Sequence, residues 1–269
     1  MNLARVFPVI ALIGAAVTAP QALAQVQYAA KTGVGIIAPC PSFCGGPGGR
    51  FLFDTDGGTN VTNSYSSASN ADGNGQAEAT LTGPSSLPVL RAEAYSIGSS
   101  EVSAEAGTLQ GFYVGPGGLL DYTLEVVLTG QATRSAIATV AIFRDTDPTS
   151  DFFYTSDAAT MFFEVIPLTG DLELVDRITV DLLADGTPQT ATGTITVTDL
   201  QAGDLFYVWA TLIATGRNGT YGDAYNTVNM AFTDPTGLSQ TAPIPEPGTW
   251  ALLAAGLGLT GWAARRRRG

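Results

Sequence analysis

The run Asp145-Thr146-Asp147-Pro148-Thr149-Ser150-Asp151 gathers three carboxylates, Asp145, Asp147 and Asp151, and Asp54-Thr55-Asp56-Gly57-Gly58-Thr59-Asn60 is a second acidic run. Oxygen ligands at alternate positions of a loop can wrap Ca²⁺. Neither run carries the distal glutamate of an EF-hand loop, and Pro148 interrupts the first, so both read as solvated turns built from ordinary turn residues. No cofactor is expected, Ca²⁺ at Asp145, Asp147 and Asp151 being the one exception the residues permit. Cys40 and Cys44 are the only cysteines, with three residues between them where a redox C-x-x-C has two. No further cysteine and no histidine exists to complete a zinc set, so a structural disulfide is the expected state. Closing so short a loop contributes at most about 2 kcal/mol.

Glu78, Glu93, Glu101, Glu105, Glu125, Glu164 and Glu173 are the stock from which an acid/base pair for glycan chemistry would be drawn. Most of them occupy the polar phase of alternating segments, where a charge is simply solvated. Phe152-Phe153-Tyr154 and Phe162-Phe163, with Tyr221 and Tyr225 later, could form a platform for stacking sugars, although aromatic pairs beside Met161, Val165 and Ile166 are more often core. The chain contains no histidine. This removes the Ser-His-Asp and Cys-His nucleophile systems, most catalytic zinc sites and the usual base near neutral pH. No enzymatic activity is expected.

The elements that must position these residues are strands. Ala77–Leu81 and Leu120–Val126 alternate polar and apolar residues, Ile178, Val180 and Leu182 share one face, and Ile195 and Val197 another. Ala136–Phe143 and Leu205–Ala214 are apolar on both faces and read as central strands covered on both sides. Turn chemistry separates the runs at 115–118, 145–148, 184–188 and 216–219. Roughly ten such segments predict an all-β fold, an antiparallel β-sandwich or jelly-roll-like body. The body is expected over residues 25–236, with residues 25–75 loop-rich because of the Gly/Ser/Asn content of 45–49 and 64–75, and a linker at 237–244. No internal repeat of fixed period is present.

Charge is unevenly placed. The whole chain of 269 residues carries a net −12, but residues 25–245 hold 23 acidic and 7 basic residues, a net of −16. Such a surface repels nucleic acid, whose binding needs Lys and Arg to displace counterions. Basic residues concentrate at the two ends. Arg5 precedes the apolar stretch Val6–Val17, and Ala22-Leu23-Ala24 forms a small-residue cleavage site. Residues 1–24 therefore read as a signal peptide, with Ala22 and Ala24 forming the cleavage site and the mature chain beginning at Gln25, and the chain as exported. At the other end, Pro245-Glu246-Pro247 is followed by fifteen uncharged residues, Trp250–Ala264, and by Arg265, Arg266, Arg267 and Arg268. Fifteen residues reach about 22 Å as a helix, against about 30 Å of hydrocarbon. Extension to 248–264 and snorkelling arginine stems narrow the gap. Trp250 and Trp262 lie where interfacial aromatics belong, and the arginines belong on the cytoplasmic side. A short transmembrane helix over 248–264 is expected, with the body outside.

These tail residues, together with Ala251-Leu252-Leu253 and Gly256-Leu257, resemble the PEP-CTERM sorting signal, also known as an ice-binding protein C-terminal region. The resemblance covers the last 25 or so residues, 245–269. It implies recognition by an exosortase-type membrane enzyme in a Gram-negative bacterium that makes exopolysaccharide, with cleavage near Pro245, Glu246 and Pro247. Those three would be substrate residues of another enzyme. The stretches AGDLFYVWATL and DAYNTVNMAFTDPTGL are similar to strands of other exported PEP-CTERM proteins. The resemblance implies an inner-membrane-tethered intermediate, then delivery to the cell envelope or extracellular space. The expected function is a non-enzymatic structural or adhesive surface protein. The alternatives are a carbohydrate-binding module for exopolysaccharide and a glycan-acting enzyme with a carboxylate pair.

Overall fold

The structure, a computed structural model, describes residues 28–38, 50–59, 61–81, 87–146 and 172–240. Among these residues the chain is all strand and turn. The strands are β1 (Ala29–Ala38), β2 (Arg50–Thr59), β3 (Asn63–Asn70), β4 (Gly73–Thr80), β5 (Val89–Ser96), β6 (Glu101–Val114) and β7 (Tyr122–Ala132). They continue with β8 (Ser135–Asp145), β9 (Leu172–Asp181), β10 (Gln189–Val197), β11 (Leu205–Arg217), β12 (Tyr221–Phe232) and β13 (Leu238–Gln240). Two antiparallel sheets form a sandwich. One runs β2-β1-β6-β11-β8-β9, the other β10-β7-β12-β5-β4-β3. The short β13 extends the first sheet, pairing with Phe112–Val114 of β6 beyond the point where β1 ends at Leu109.

The period-two pattern decides which face is buried. In β7, Tyr122, Leu124, Val126, Leu128, Gly130 and Ala132 are buried and the residues between them reach solvent. β11 is largely buried on both faces, as its apolar run predicts, whereas β8 is buried on both faces only around Ala141, its outer face being open at Ile137. Ala138, Val140, Val208 and Ala210 point into the sandwich, while Tyr207 and Leu109 of β6 are buried on the opposite face with Phe143 and Trp209 packed against them. Burial first, and the charge of Asp145 second, push the Tyr207 hydroxyl well above the usual tyrosine range.

The sandwich interior changes character along its length. At one end, Phe112, Tyr122, Phe206 and Phe232 form an aromatic cluster, with Phe112 and Phe232 edge-to-face at 5.2 Å between ring centroids. The Tyr122 hydroxyl donates to the Thr236 carbonyl at 2.7 Å and accepts the Leu119 N–H at 2.8 Å. This cluster anchors the stretch that leads into β13. Elsewhere the interior is small: Ala77, Ala92, Ala94, Ala104, Ala106 and Ala214 are all buried, so the sheets face each other through short side chains. Thr32 of β1 bonds Ser64 and Ser66 of β3 at 2.8 and 2.9 Å, satisfying three buried hydroxyls at once.

Of residues 25–75, expected to be rich in loops, those that the structure describes are mostly strand. The polar composition misleads because β3 and β4 pair as a hairpin across Ala71-Asp72, and β3 buries only Ser64, Ser66 and Ala68. Small polar residues suffice where one side is solvent and the other faces a tight interior. The residues of the expected signal peptide, Cys40 and Cys44, and the expected tail helix lie outside the described residues. No helix among the described residues is long and apolar enough to cross a membrane.

Candidate functional site

The outer face of the second sheet carries its chemistry in two rows of cross-strand neighbours. Asn74 of β4 pairs with Tyr95 of β5, which pairs with Tyr221 of β12. One step along, Gln76 pairs with Glu93, Glu93 with Asp223, and Asp223 with Gln131 of β7. Directly opposed residues on one face bring their Cβ atoms within about 4.5–5.5 Å, so register alone sets tyrosine beside tyrosine and acid beside acid. Local sequence makes this happen. Glu93-Ala94-Tyr95 in β5 and Tyr221-Gly222-Asp223 in β12 are mirror images in composition, and antiparallel pairing superimposes them. The central Ala94 and Gly222 turn into the sandwich.

The two tyrosine rings lie 6.3 Å apart between centroids with planes 22° from parallel. Tyr95 is 47% exposed. Tyr221 is oriented by its hydroxyl, which donates to the Gly186 carbonyl at 3.4 Å in the β9–β10 connection. That connection is itself fixed. Gly186 donates its N–H to the Ala132 carbonyl at 2.8 Å, and Asp185 Oδ1 accepts from the Thr187 N–H, the Thr187 hydroxyl and Gln189 Nε2 at 2.7–2.8 Å. These bonds hold the Asp185 carboxyl below its ordinary pKa. Between the strands lies a groove of about 320 Å³ lined by Asn74, Glu93, Tyr95, Gln131, Tyr221 and Asp223, with Ala94 and Gly222 at its floor.

Electrostatics in the groove are one-sided. Burial and then the charge of Asp223 raise the pKa of Glu93, while a hydrogen bond from Gln76 Nε2 to Glu93 Oε1 at 2.6 Å pulls it down. No lysine or arginine lines the groove. Arg91, the next residue along the same face of β5, is bound to Glu78 at 3.0 Å. Beyond Asp223 the pairing of β12 with both neighbours shifts register before Thr227, and Thr227 takes φ 123°, a left-handed value that a β-branched residue adopts only under constraint.

Other residues singled out from the sequence take different places. Glu101 pairs with Arg217 at 3.8 Å, Glu105 is buried on the outer face of the first sheet, and Glu125 and Glu173 are exposed on separate strands. Glu164 lies outside the described residues, as do Phe152, Phe153, Tyr154, Phe162 and Phe163. Asp145 ends β8, while Asp147 and Asp151 are outside the described residues. Asp54 and Asp56 do not form a loop. They sit in β2 and accept backbone N–H groups of β3, Ser67 at 2.8 Å and Tyr65 at 3.1 Å. Among the described residues no group of three or more His, Cys, Asp or Glu side chains is placed to hold a metal ion. Of the groove residues, sequence reasoning had named Glu93 and Tyr221 separately. It missed Tyr95, Asp223, Gln131 and Asn74. The mirrored acid–small–tyrosine triplets were the available signal.

No curated protein matches the chain. A solved structure of TmCBM61 in complex with β-1,4-galactotriose is similar at 9% identity and a TM-score of 0.24, over 57% of this chain and 71% of that one. Residues 243–268, which hold Pro245, Glu246, Pro247, Trp250, Trp262 and Arg265–Arg268, match the PEP-CTERM protein-sorting motif. Residues 243–268 of this chain thus carry the PEP-CTERM protein-sorting motif, which indicates an exported, envelope-directed protein and implies processing by exosortase.

Proposed function

We propose that the sandwich is a non-enzymatic structural or adhesive body, carried by its tail to the cell envelope or extracellular matrix. The observation that carries this reading is the sorting motif at residues 243–268, which begins just after β13 at Leu238–Gln240. Residues 241–244 separate β13 from Pro245, a reach of at most about 17 Å. The body is thus held close to the membrane until the tail is cut. Three of the glutamates fit a passive role. Glu78 and Glu101 are ion-paired at the surface and Glu125 is solvated, so neither a dry site nor a positioned nucleophile surrounds them. Replacing Pro245, Glu246 and Pro247 together by alanine and fractionating the cells tests the reading. The expected result is an uncut, longer form retained in the membrane fraction. Unchanged size and unchanged location would overturn it.

A second reading, a carbohydrate-binding body, is favoured by one observation, the Tyr95–Tyr221 pair beside Glu93 and Asp223 in the groove. An adhesive protein needs a surface that recognises something, and this is where the described residues combine exposed aromatic rings with convergent hydrogen-bonding groups.

A further inference from the structure

We infer that the groove between β4, β5, β12 and β7 holds a single pyranose unit without an acid group, part of a polysaccharide, stacked on Tyr95 and Tyr221 and held through its hydroxyls by Glu93, Asp223, Asn74 and Gln131. The inference rests on the carbohydrate-binding reading and names its ligand class. Each part of the groove fits one part of a sugar ring. Two near-parallel tyrosine rings offer an apolar surface for the C–H face of a pyranose, and the bond from the Tyr221 hydroxyl to the Gly186 carbonyl orients one of them. Carboxylates accept only, so Glu93 and Asp223 match neighbouring sugar hydroxyls as donors. Asn74 and Gln131 at either flank both donate and accept, which suits hydroxyls that must do the reverse. At about 320 Å³ the groove sits at the small end of ligand sites, which run about 300–1,000 Å³. It has room for a ring, not for an extended chain.

Charge narrows the class. Two carboxylates face each other with no lysine or arginine in the lining, and the body around them is strongly acidic. A uronate would add a third negative charge to this space and is disfavoured. A bare Ca²⁺ ion is disfavoured for a different reason. It needs more oxygen ligands than two carboxylates in open cross-strand positions supply.

The position of the groove fits recognition at a surface. Tyr221 begins β12 and Phe232 ends it, and the chain leaves the body through Thr236 and β13 at the Phe232 end. The groove therefore lies at the opposite end of the sandwich from the tail, on the order of 30 Å away along the strand. A body tethered by its tail presents the groove outward. One shallow site binds weakly, in the millimolar range, and many copies on one surface gain by avidity.

The test uses the full chain in a detergent without a sugar head group. It is titrated at pH 7 with the methyl glycosides of glucose, galactose and mannose, with methyl glucuronide, with glucosamine and with Ca²⁺, followed by ligand-observed NMR. Saturable binding of at least one uncharged glycoside is expected, with methyl glucuronide at least tenfold weaker. Tyr95→Ala should weaken the uncharged glycoside at least tenfold, and Gln131→Ala several-fold. Leu120→Ala, at an exposed position at the far end of the body, should leave it unchanged. Glucuronide binding as the preferred sugar would overturn the ligand class and leave the carbohydrate reading standing, whereas preference for glucosamine would support the acidic groove as the source of selectivity. Binding that Tyr95→Ala and Gln131→Ala both leave intact would overturn the groove as its place. Binding of Ca²⁺ alone, or of no sugar, would overturn both. Hydrolysis of a glycoside, lost in Glu93→Gln, would replace a binding site by a catalytic one.

Discussion

Asp54 Oδ2 accepts the backbone N–H of Ser67 at 2.8 Å, reaching from the edge strand of one sheet to the edge strand of the other. Asp56 does the same for Tyr65 at 3.1 Å. Asp54 pairs with Val34 and Asp56 with Thr32, both of which face the interior, so these aspartates point inward from an edge. An inward-pointing charge on an edge strand is a known guard against edge-to-edge pairing, and here it also satisfies donors that β3 cannot satisfy in its own sheet.

The double variant Asp54→Ala/Asp56→Ala is therefore expected to lose about 1–3 kcal/mol of stability, at the low end because both aspartates are exposed. It is also expected to associate through the uncovered β3 edge. Urea unfolding measures the first effect and sedimentation velocity the second. A variant that stays monomeric and unfolds at the wild-type midpoint would show that the bonds are incidental.

Gly222 is the hinge between packing and the groove. A Cβ added there would meet the Ser135 carbonyl oxygen at 2.1 Å and the Thr215 backbone at 3.0 Å, atoms of the opposite sheet that cannot swing aside. Gly222→Ala should cost about 2–3 kcal/mol through overpacking and should move the flanking Tyr221 and Asp223. Thermal unfolding and the side-chain NMR shifts of Tyr95 and Tyr221 check this. A variant with wild-type Tm and unchanged tyrosine shifts would mean that the sheets part easily at this corner.

How much of this was legible before folding varies by region. The strands at Leu205–Ala214 and Ala136–Phe143 were plain because a run apolar on both faces has only one comfortable place, the middle of a covered sheet. β3 and the first half of β4 were not, because they are built from Ser, Ala, Asn, Gln and Gly, whose composition reads as loop when the tight interior they face is unknown, whereas the alternation at Ala77–Leu81 did mark the second half of β4. Asp54 and Asp56 were legible as an acidic pair, but their partners are backbone N–H groups of a strand in the other sheet, and no local pattern announces a non-local donor. The groove was half legible. Tyr221 and Glu93 stand out singly. Their neighbours depend on the register of β5 against β12, and the strands between them in sequence give no local signal of that pairing. The tail needed no fold at all, since its order of prolines, apolar run and arginines is itself the recognised object.

Tyr122 ties the chain's exit to the core. Its hydroxyl bridges Leu119 and Thr236, and the Gly237 carbonyl accepts the Gly115 N–H at 2.8 Å beside it. Tyr122→Phe should cost about 1–3 kcal/mol, since both partners lose their bond in a partly buried place. The signature is local. Amides of Leu238–Gln240 should exchange hydrogen faster than in the wild type while those of β11 change little. Equal acceleration everywhere would assign Tyr122 to the core alone, with no special hold on β13.

Glu93 gives the fold a pH dependence of known sign. Burial and the facing Asp223 raise its folded pKa above the ordinary value of 4.5, so the folded state holds that proton more tightly than the unfolded state. The contribution to stability is complete below the unfolded pKa and is lost as pH rises through the folded one. Glu93→Gln, which keeps an acceptor for Gln76 without the charge, should then unfold at a higher temperature than the wild type at pH 7. The difference should close toward about pH 3–4, where Glu93 is protonated in both states. Asp223→Asn should act in the same direction and lower the Glu93 pKa, which side-chain carboxyl NMR titration reads directly. Wild-type and Glu93→Gln melting curves that stay parallel from acid to neutral pH would show that the two carboxylates do not feel each other across β5 and β12.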